Sequence, residues 1–190
     1  MINEKELEQH LRNLGKEYPK QVIDKLDVGS KVQKSLALTY EIDNSNIDRN
    51  LGNFPKGADP YEAINKSLKN SKSEIIKAFN GAREIPFSKI YGLGIGQCLE
   101  KAILVQLAAQ RGRDSFLING YLGEGGPIDC PHSYNVVFKD EKSFLIDTHN
   151  PLKDSNGKMQ PYIAPILGIE GDYCDFIVPE EWKQGRNYSI

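Results

Sequence analysis

Three short segments decide the fold of this chain: GQCLEKA at residues 96–102, HSYN from His132, and DTHNP from Asp147. The first segment places Cys98 where a glycine-rich loop meets the start of a long apolar stretch. His132 begins one run of strand-forming residues, and Asp147 ends the next run. A thiol, an imidazole and a carboxylate in this order suit a nucleophile, a general base and an orienting acid.

The most apolar segment of the chain runs from about Gln97 to Gln110 and is predicted to be the central helix of the core, buried on most sides. Cys98 then lies in its first turn, where unpaired N–H groups and the helix dipole stabilise a thiolate. The same groups, with a side-chain or backbone donor from Gln97, can bind an oxyanion. The alternative is that Cys98 is a small buried apolar residue without a chemical role.

The strands that carry His132 and Asp147 are predicted to pair as a hairpin. A two-residue turn at 139–140 places the two residues directly opposite each other, and a turn at 140–141 makes them diagonal neighbours. Either turn leaves both side chains on one face of the sheet, whereas a three-residue loop without a bulge separates them. His149 could point the same way as Asp147 and is the rival base. His10, on a charged segment, is expected to be solvated.

The remaining patterns predict one α+β domain over 1–190, with a mainly helical half at 1–84 and an α/β core at 85–180. In that core the helix that carries Cys98 packs on a small antiparallel sheet. Residues 35–42 fit a strand or a helix equally well, and the tail from 179 looks irregular. The other expected elements are helices at 3–17, 20–26 and 59–79, strands at 114–122 and 173–178, loops at 43–57 and 123–127, and an extended segment at 85–91.

Composition narrows the possible functions. The chain has 24 basic and 26 acidic side chains, a formal net charge of −2, which gives no electrostatic reason to expect nucleic acid or an anionic membrane as a partner. Three cysteines do not make a disulfide framework. The first residues lack the basic-then-apolar plan of a signal peptide, so a cytoplasmic location is expected, with non-classical export left open. No metal or cofactor is expected.

The three segments resemble the transglutaminase-like superfamily, a branch of the papain-like cysteine enzymes. His132-Ser133-Tyr134 is similar to the family's His-Ala-aromatic element, and the segment from Asp147 is similar to its Asp-x-Thr ending. The resemblance implies a Cys98, His132 and Asp147 triad that acts on an amide bond of a protein or peptide substrate, as a peptidase, amidase, protein-glutamine deamidase or transglutaminase. Gln97 and Tyr134 are assigned to oxyanion or substrate binding; Tyr134 and Leu99 stand where many members have tryptophan.

Several alternatives remain open from the sequence. The Gly-x-Cys-x-Glu element at residues 96–100 is also similar to that of arylamine N-acetyltransferases, which use the same triad. A catalytically inactive binding module of the same fold, or an effector that deamidates a host glutamine, would carry the same residues. A zinc site is a further possibility, although its spacings are unusual. Its ligands would be Cys98, Cys130, His132 and either Cys174 or His149.

Overall fold

The computed structural model describes residues 2–44, 64, 68–70, 72–124, 130–172 and 174–190, which form an α+β fold. The helices with described bounds are α1 (Glu4–Glu17), α2 (Lys72–Phe79), α3 (Phe87–Gly92), α4 (Cys98–Ala109) and α5 (Glu180–Lys183). The strands are β1 (Val22–Ile23), β2 (Lys31–Ser35), β3 (Leu38–Glu41), β4 (Glu84–Pro86), β5 (Ser115–Glu124), β6 (Cys130–Lys139), β7 (Lys142–Lys153), β8 (Met159–Pro165), β9 (Gly168–Glu170), β10 (Asp175–Ile177) and β11 (Arg186–Ser189). No helix in this part of the chain is both long enough and apolar enough to cross a membrane.

The largest sheet has six antiparallel strands, five of which lie in the order β1-β5-β6-β7-β8. β11 also pairs with β5, so β1 and β11 share one edge of that strand: β1 covers Leu117 and Ile118, and β11 covers the stretch from Tyr121 to Glu124. β8 forms the opposite edge. A separate three-stranded sheet has the order β2-β3-β4, and β9 pairs with β10.

Helix α4 joins the two larger sheets. Its apolar side chains share one core with Leu117, Val137 and Ile146 of the six-stranded sheet and with Val32 and Tyr40 of the three-stranded sheet. A second core contains the alternate residues of the same large strands, together with apolar residues of α1 and of the C-terminal segment. Alternation along β5, β6 and β7 therefore gives the large sheet two buried faces.

The sequence predicted the central elements correctly. The helix expected from Gln97 is α4, the strand expected at 114–122 is β5, and the predicted hairpin is β6 and β7. The amphipathic helix at the N-terminus is α1, and the strand expected at 173–178 is β10. Most of the expected loop at 43–57 and residues 125–127 of the other expected loop lie outside the described residues, whereas Gly123 and Glu124, also expected in a loop, belong to β5. The predicted continuous helix at 59–79 is wrong in its middle: Ile64 and α2 are helical, but residues 68–70 between them are not, and Lys69 forms a parallel bridge with Ile95.

Four local predictions need correction or completion. The segment 20–26 contains β1 rather than a helix, because the β-branched Val22 and Ile23 pair with the edge of β5. Residues 35–42, which fitted either structure, contain β3. Only the start of 85–91 is extended, since α3 begins immediately after Pro86. The tail is regular: it contains α5 and β11, and β11 pairs with β5.

Among the residues that the structure describes, the N-terminal half contains strands as well as helices. Its described residues contribute β1, β2, β3 and the first residue of β4 in addition to α1 and α2. The hairpin of β2 and β3 reaches the helix that carries Cys98, which gives this half a direct part in the site.

Candidate active site

The start of α4 is fixed by contacts of its own first turn. Gln97 is the N-cap residue in an extended conformation, and its backbone N–H donates to Glu100 Oε2 at 2.8 Å. A carboxylate at this position also suits the positive end of the helix dipole. Gly96 is required by space, because a Cβ there would lie 2.7 Å from Leu68 Cδ1 and 2.9 Å from Glu100 Cβ. Cys98 is therefore the first residue of the helix, as predicted.

The hairpin turn determines how His132 and Asp147 meet. Asp140 and Glu141 both have positive φ, 51° and 59°, and Lys139 pairs with Lys142. A two-residue turn with positive φ at both positions matches the right-handed twist of the strands that it joins. Its register makes His132 and Asp147 diagonal neighbours on one face, the second of the two arrangements expected from the sequence. The pairing of β6 with β7 ends at Asn135 and Ile146, and both residues lie beyond that end.

Cys98, His132 and Asp147 are joined by hydrogen bonds. His132 Nε2 lies 2.7 Å from Asp147 Oδ2, and both side chains are buried. The Cys98 sulfur is hydrogen-bonded to the His132 ring and to the backbone N–H of Ser133. Because Asp147 occupies Nε2, the imidazole presents Nδ1 to the sulfur. The structure thus brings together the three residues that the sequence singled out.

The electrostatic surroundings of Cys98 and His132 favour a thiolate–imidazolium ion pair. Burial raises the pKa of the Cys98 thiol, but the hydrogen bond and charge of His132 outweigh burial, so that the pKa is lowered from its usual value. Burial lowers the pKa of His132, but the hydrogen bonds to Asp147 and Cys98 raise it to about 10. Both shifts favour a thiolate beside an imidazolium over the neutral pair, and the thiolate is the reactive form of cysteine.

Asp147 is held as a carboxylate by several donors. Tyr188 Oη donates to Oδ2 at 2.8 Å, and the side chain of Asn150 donates to the same oxygen at 3.1 Å. Oδ1 accepts the backbone N–H groups of His149 and Asn150. Burial opposes ionisation, but the hydrogen bonds from His132 and Tyr188 lower the pKa of Asp147 to about 2. Because the carboxylate cannot turn freely, it fixes the orientation of the imidazole.

Glu100 links the helix to the N-terminal hairpin. Its side chain is fully buried, and Lys34 Nζ of β2 lies 2.8 Å from Oε1 and 3.0 Å from Oε2. Tyr40 of β3 donates its hydroxyl to Oε1. Burial raises the pKa of Glu100, but the charge of Lys34 outweighs burial and lowers it. The positive charge of Lys34 also lowers the pKa of Cys98, so this lysine acts on the thiol through space.

His149 is not arranged as a base for Cys98. Its Nδ1 lies 3.2 Å from the ammonium group of Lys101, which is itself buried in the core. Burial and the charge of Lys101 lower the pKa of His149 to about 4, so this ring is neutral near pH 7. Its ring centroid is 6.0 Å from that of His132, and its backbone N–H holds Asp147. The rival base is thus a packing neighbour of the three residues.

The sulfur faces a cleft of about 840 Å³, lined by residues that include Gln97, Cys98 and His132. The backbone N–H of Gln97 is used by Glu100, so the predicted oxyanion donor from this residue is restricted to its side-chain amide. The predicted substrate contact of Tyr134 needs correction. Tyr134 is 1% exposed and donates its hydroxyl to the Ser189 carbonyl, so it packs behind His132 rather than lining the cleft.

The other two cysteines lie apart from this cleft. Cys130 is exposed at the start of β6, whereas Cys174 Sγ contacts His10 Nε2 at 3.7 Å. Burial and the charge of Asp175 raise the pKa of Cys174, the opposite direction from that of Cys98. Within the described ranges, no group of three or more His, Cys, Asp or Glu side chains could hold a metal ion, so the zinc ligands considered from the sequence do not come together there.

Several contributors to the site were missed by sequence reasoning. Tyr188 lies in a tail that looked irregular, and no local pattern marks it. Lys34 and Tyr40 lie on a hairpin whose strand character was ambiguous. Asn150 and Glu100 did have a signal: an amide three residues after Asp147, and an acid three residues after the N-cap of an apolar helix.

Comparison of the chain with protein-family models, curated proteins and solved structures gives no match. The functional argument therefore rests on the arrangement of these side chains.

Proposed function

We propose that this chain is a cysteine-dependent acyl-transfer enzyme that acts on an amide bond of a protein or peptide, built on a papain-like core of the transglutaminase type. The observation that carries the proposal is the hydrogen-bonded series of Cys98, His132 and Asp147 at the wall of an open cleft. An ionised thiol, a charged imidazole and a fixed carboxylate are what nucleophilic attack on a carbonyl requires.

The reaction has two steps. The Cys98 sulfur attacks the amide carbonyl carbon, a C–S bond forms, and the oxygen becomes an oxyanion that can accept from the Cys98 N–H and the Gln97 amide. The C–N bond then breaks, His132 gives its proton to the departing nitrogen, and the acyl group remains as a thioester. Water or an amine, deprotonated by His132, attacks the thioester and releases the thiolate.

Iodoacetamide labelling across pH, with mass mapping of the modified cysteines, tests the proposal. Cys98 is expected to react fastest at pH 6, where an ordinary thiol with a pKa near about 8.5 is almost fully protonated. His132→Ala should remove this advantage. Cys130 and Cys174 serve as references within the same molecule, and His10→Ala, which removes the ring beside Cys174, is the matched control. Equal, slow labelling of all three cysteines would refute the proposal.

A second measurement separates the reaction types. Glutamine-containing proteins are incubated with the enzyme, with and without an added primary amine. Ammonia release without chain cleavage indicates deamidation, incorporation of the amine indicates transfer, and new chain ends indicate peptide hydrolysis. Cys98→Ser should abolish whichever product is observed, because the thioester can no longer form.

A further inference from the structure

The cleft at Cys98 adjoins a larger cavity, and the β2–β3 hairpin contributes residues to the lining of both. The cleft has a volume of about 840 Å³ and the second cavity about 1070 Å³. Four residues line both spaces: Lys34, Ser35, Leu36 and Gln97. We call the two spaces together the hairpin groove, since the hairpin tip lies at their junction, beside the reacting sulfur.

The size of the hairpin groove suits a polypeptide segment better than a small molecule. Pockets for small ligands have volumes of about 300–1,000 Å³, and the second cavity alone reaches the top of that range. An extended chain advances about 3.3 Å per residue, so that several residues are needed to cross from one space to the other. A bound segment would place one amide at Cys98 and its neighbours on both sides of the hairpin tip.

The charged side chains that line the groove are basic. Apart from the reacting pair, the lining charges among the described residues are those of Lys20, Lys34, Lys72 and Arg83, and no carboxylate lines either space. The charge of Lys34 is neutralised by the buried carboxylate of Glu100. Lys20, Lys72 and Arg83 are exposed and have no ion-pair partner in the described part of the chain. A chain of net charge −2 thus presents positive charge here.

Exposed apolar side chains accompany these charges. Leu36, at the hairpin tip, is 102% exposed, and Ile76 of α2 is 62% exposed. Tyr121 of β5, which lines the cleft on the side away from α2, is also exposed. Large apolar residues that line a groove beside a nucleophile offer contacts for substrate side chains, while the basic residues between them attract carboxylates.

We infer that the substrate is an acidic polypeptide segment that lies extended across the hairpin tip, with its carboxylates at Lys72 and Arg83 on one side and at Lys20 on the other. Leu36 contacts an apolar side chain next to the amide that Cys98 attacks. The inference rests on the proposed function, because it names the substrate class of that same site.

Two electrophilic peptides test the substrate class, whichever of the amide reactions the enzyme catalyses. Both are ten residues long and carry one central iodoacetyl group; the flanking residues are glutamate in one and lysine in the other. The rate of Cys98 modification is measured for each peptide and divided by the rate with iodoacetamide. The acidic peptide is expected to react at least about ten-fold faster than the basic one at low salt, and this preference should decrease as salt is added.

Reversing the charge of two lining residues tests whether they cause the preference for the acidic peptide. In Lys72→Glu/Arg83→Glu, the normalised rate of the acidic peptide should fall about ten-fold. Glutamate at residue 72 lies in the first turn of α2, where an acid is tolerated. The matched control is Lys139→Glu/Lys142→Glu, which makes the same change of charge at the far turn of the hairpin of β6 and β7 and should retain the preference.

The outcomes separate this inference from the proposed function. Fast labelling by iodoacetamide with equal rates for the two peptides would overturn the acidic substrate and leave the enzyme proposal intact. Slow labelling by iodoacetamide itself would overturn the enzyme proposal. If single-stranded RNA protects Cys98 as well as a poly-glutamate peptide of equal charge does, the groove binds nucleic acid and the polypeptide assignment is wrong.

Discussion

Replacement of Lys34 by methionine tests whether the N-terminal hairpin stabilises the helix that carries Cys98. The variant keeps the length and apolar stem of the side chain but removes the ammonium group that contacts both oxygens of Glu100 at 2.8 and 3.0 Å. Glu100 is then left buried as a carboxylate with donors only from Tyr40 and the Gln97 N–H. The expected result is a loss of folding stability and a less acidic Cys98 thiol.

The size of the expected stability loss follows from how deeply Lys34 and Glu100 are buried. Removal of one member of a buried ion pair costs about 3–5 kcal/mol. The Lys34 side chain is still 17% exposed, and Glu100 keeps two donors, so the lower part of the range applies. We expect the free energy of unfolding to fall by about 3 kcal/mol at pH 7.

Urea unfolding followed by circular dichroism measures this loss. The difference in unfolding free energy between the variant and the unchanged protein should decrease in acid. The pKa of Glu100 is lowered in the folded state, so the stability that its carboxylate contributes is present above its usual pKa of 4.5 and is lost as the pH falls through the folded value. Alkylation of Cys98 at pH 6 should also slow, because the charge of Lys34 lowers the pKa of the thiol.

The matched control is Lys31→Met on the same strand. Lys31 pairs with Glu84 at 2.7 Å, but both side chains are largely exposed, so no measurable loss is expected. If Lys34→Met unfolds at the same urea concentration as Lys31→Met and alkylates at the unchanged rate, then the hairpin does not support the helix and the reasoning is wrong.

Three further results are expected. Tyr188→Phe should lower stability by about 2 kcal/mol and slow alkylation at pH 6, because it removes a buried donor to the Asp147 carboxylate. Gly120→Ala should cost about 3 kcal/mol or more in urea unfolding, since its Cβ would lie 2.0 Å from a carbonyl oxygen of the C-terminal segment. The stability that Cys98 and His132 add, measured against a Cys98→Ala/His132→Gln variant, should fall as the pH rises from 9.0, the usual pKa of the thiol, to about 10, the folded pKa of His132. In this range the unfolded chain has released both protons, whereas folded His132 still holds its proton.

Each of these results has a matched comparison. Tyr162→Phe lies in the same aromatic cluster, but the Tyr162 hydroxyl is buried without a hydrogen-bond partner among the described residues, so the change should be neutral or stabilising. Gly112→Ala adds a methyl group in open space and should change little. Equal losses in the tyrosine pair or in the glycine pair, or a stability difference for Cys98 and His132 that does not vary with pH, would contradict the corresponding argument.

The parts of the site that follow from local chemistry could be predicted from the sequence. Cys98 at a helix start and the shared face of His132 and Asp147 depend on apolar pattern and on turn length, both of which are visible in a single chain. The hairpin register needed one further fact, the choice between two turns, and the positive φ at Asp140 and Glu141 decides it.

The remaining parts depend on contacts between distant segments. Lys34 reaches Glu100 across 66 residues, and Tyr188 reaches Asp147 across 41. Neither contact has a periodicity or spacing that a sequence displays, because each exists only after the sheets have packed on α4. The prediction for Tyr134 failed for the same reason: it lies on the same face of β6 as His132, but the C-terminal segment packs over it and its hydroxyl donates to the Ser189 carbonyl.

The pairing of β1 and β11 along one edge of β5 has a consequence for how copies of this chain behave towards each other. An uncovered strand edge is a template on which a second chain can add, the first step towards fibres. Here β1 covers Leu117 and Ile118, and β11 covers Tyr121 to Glu124. The opposite edge, β8, contains Pro161 and Pro165, which lack the N–H that a growing ladder needs. The six-stranded sheet therefore offers an added chain only the short strands β1 and β11 on one side and the proline-containing strand β8 on the other, which opposes edge-to-edge polymerisation.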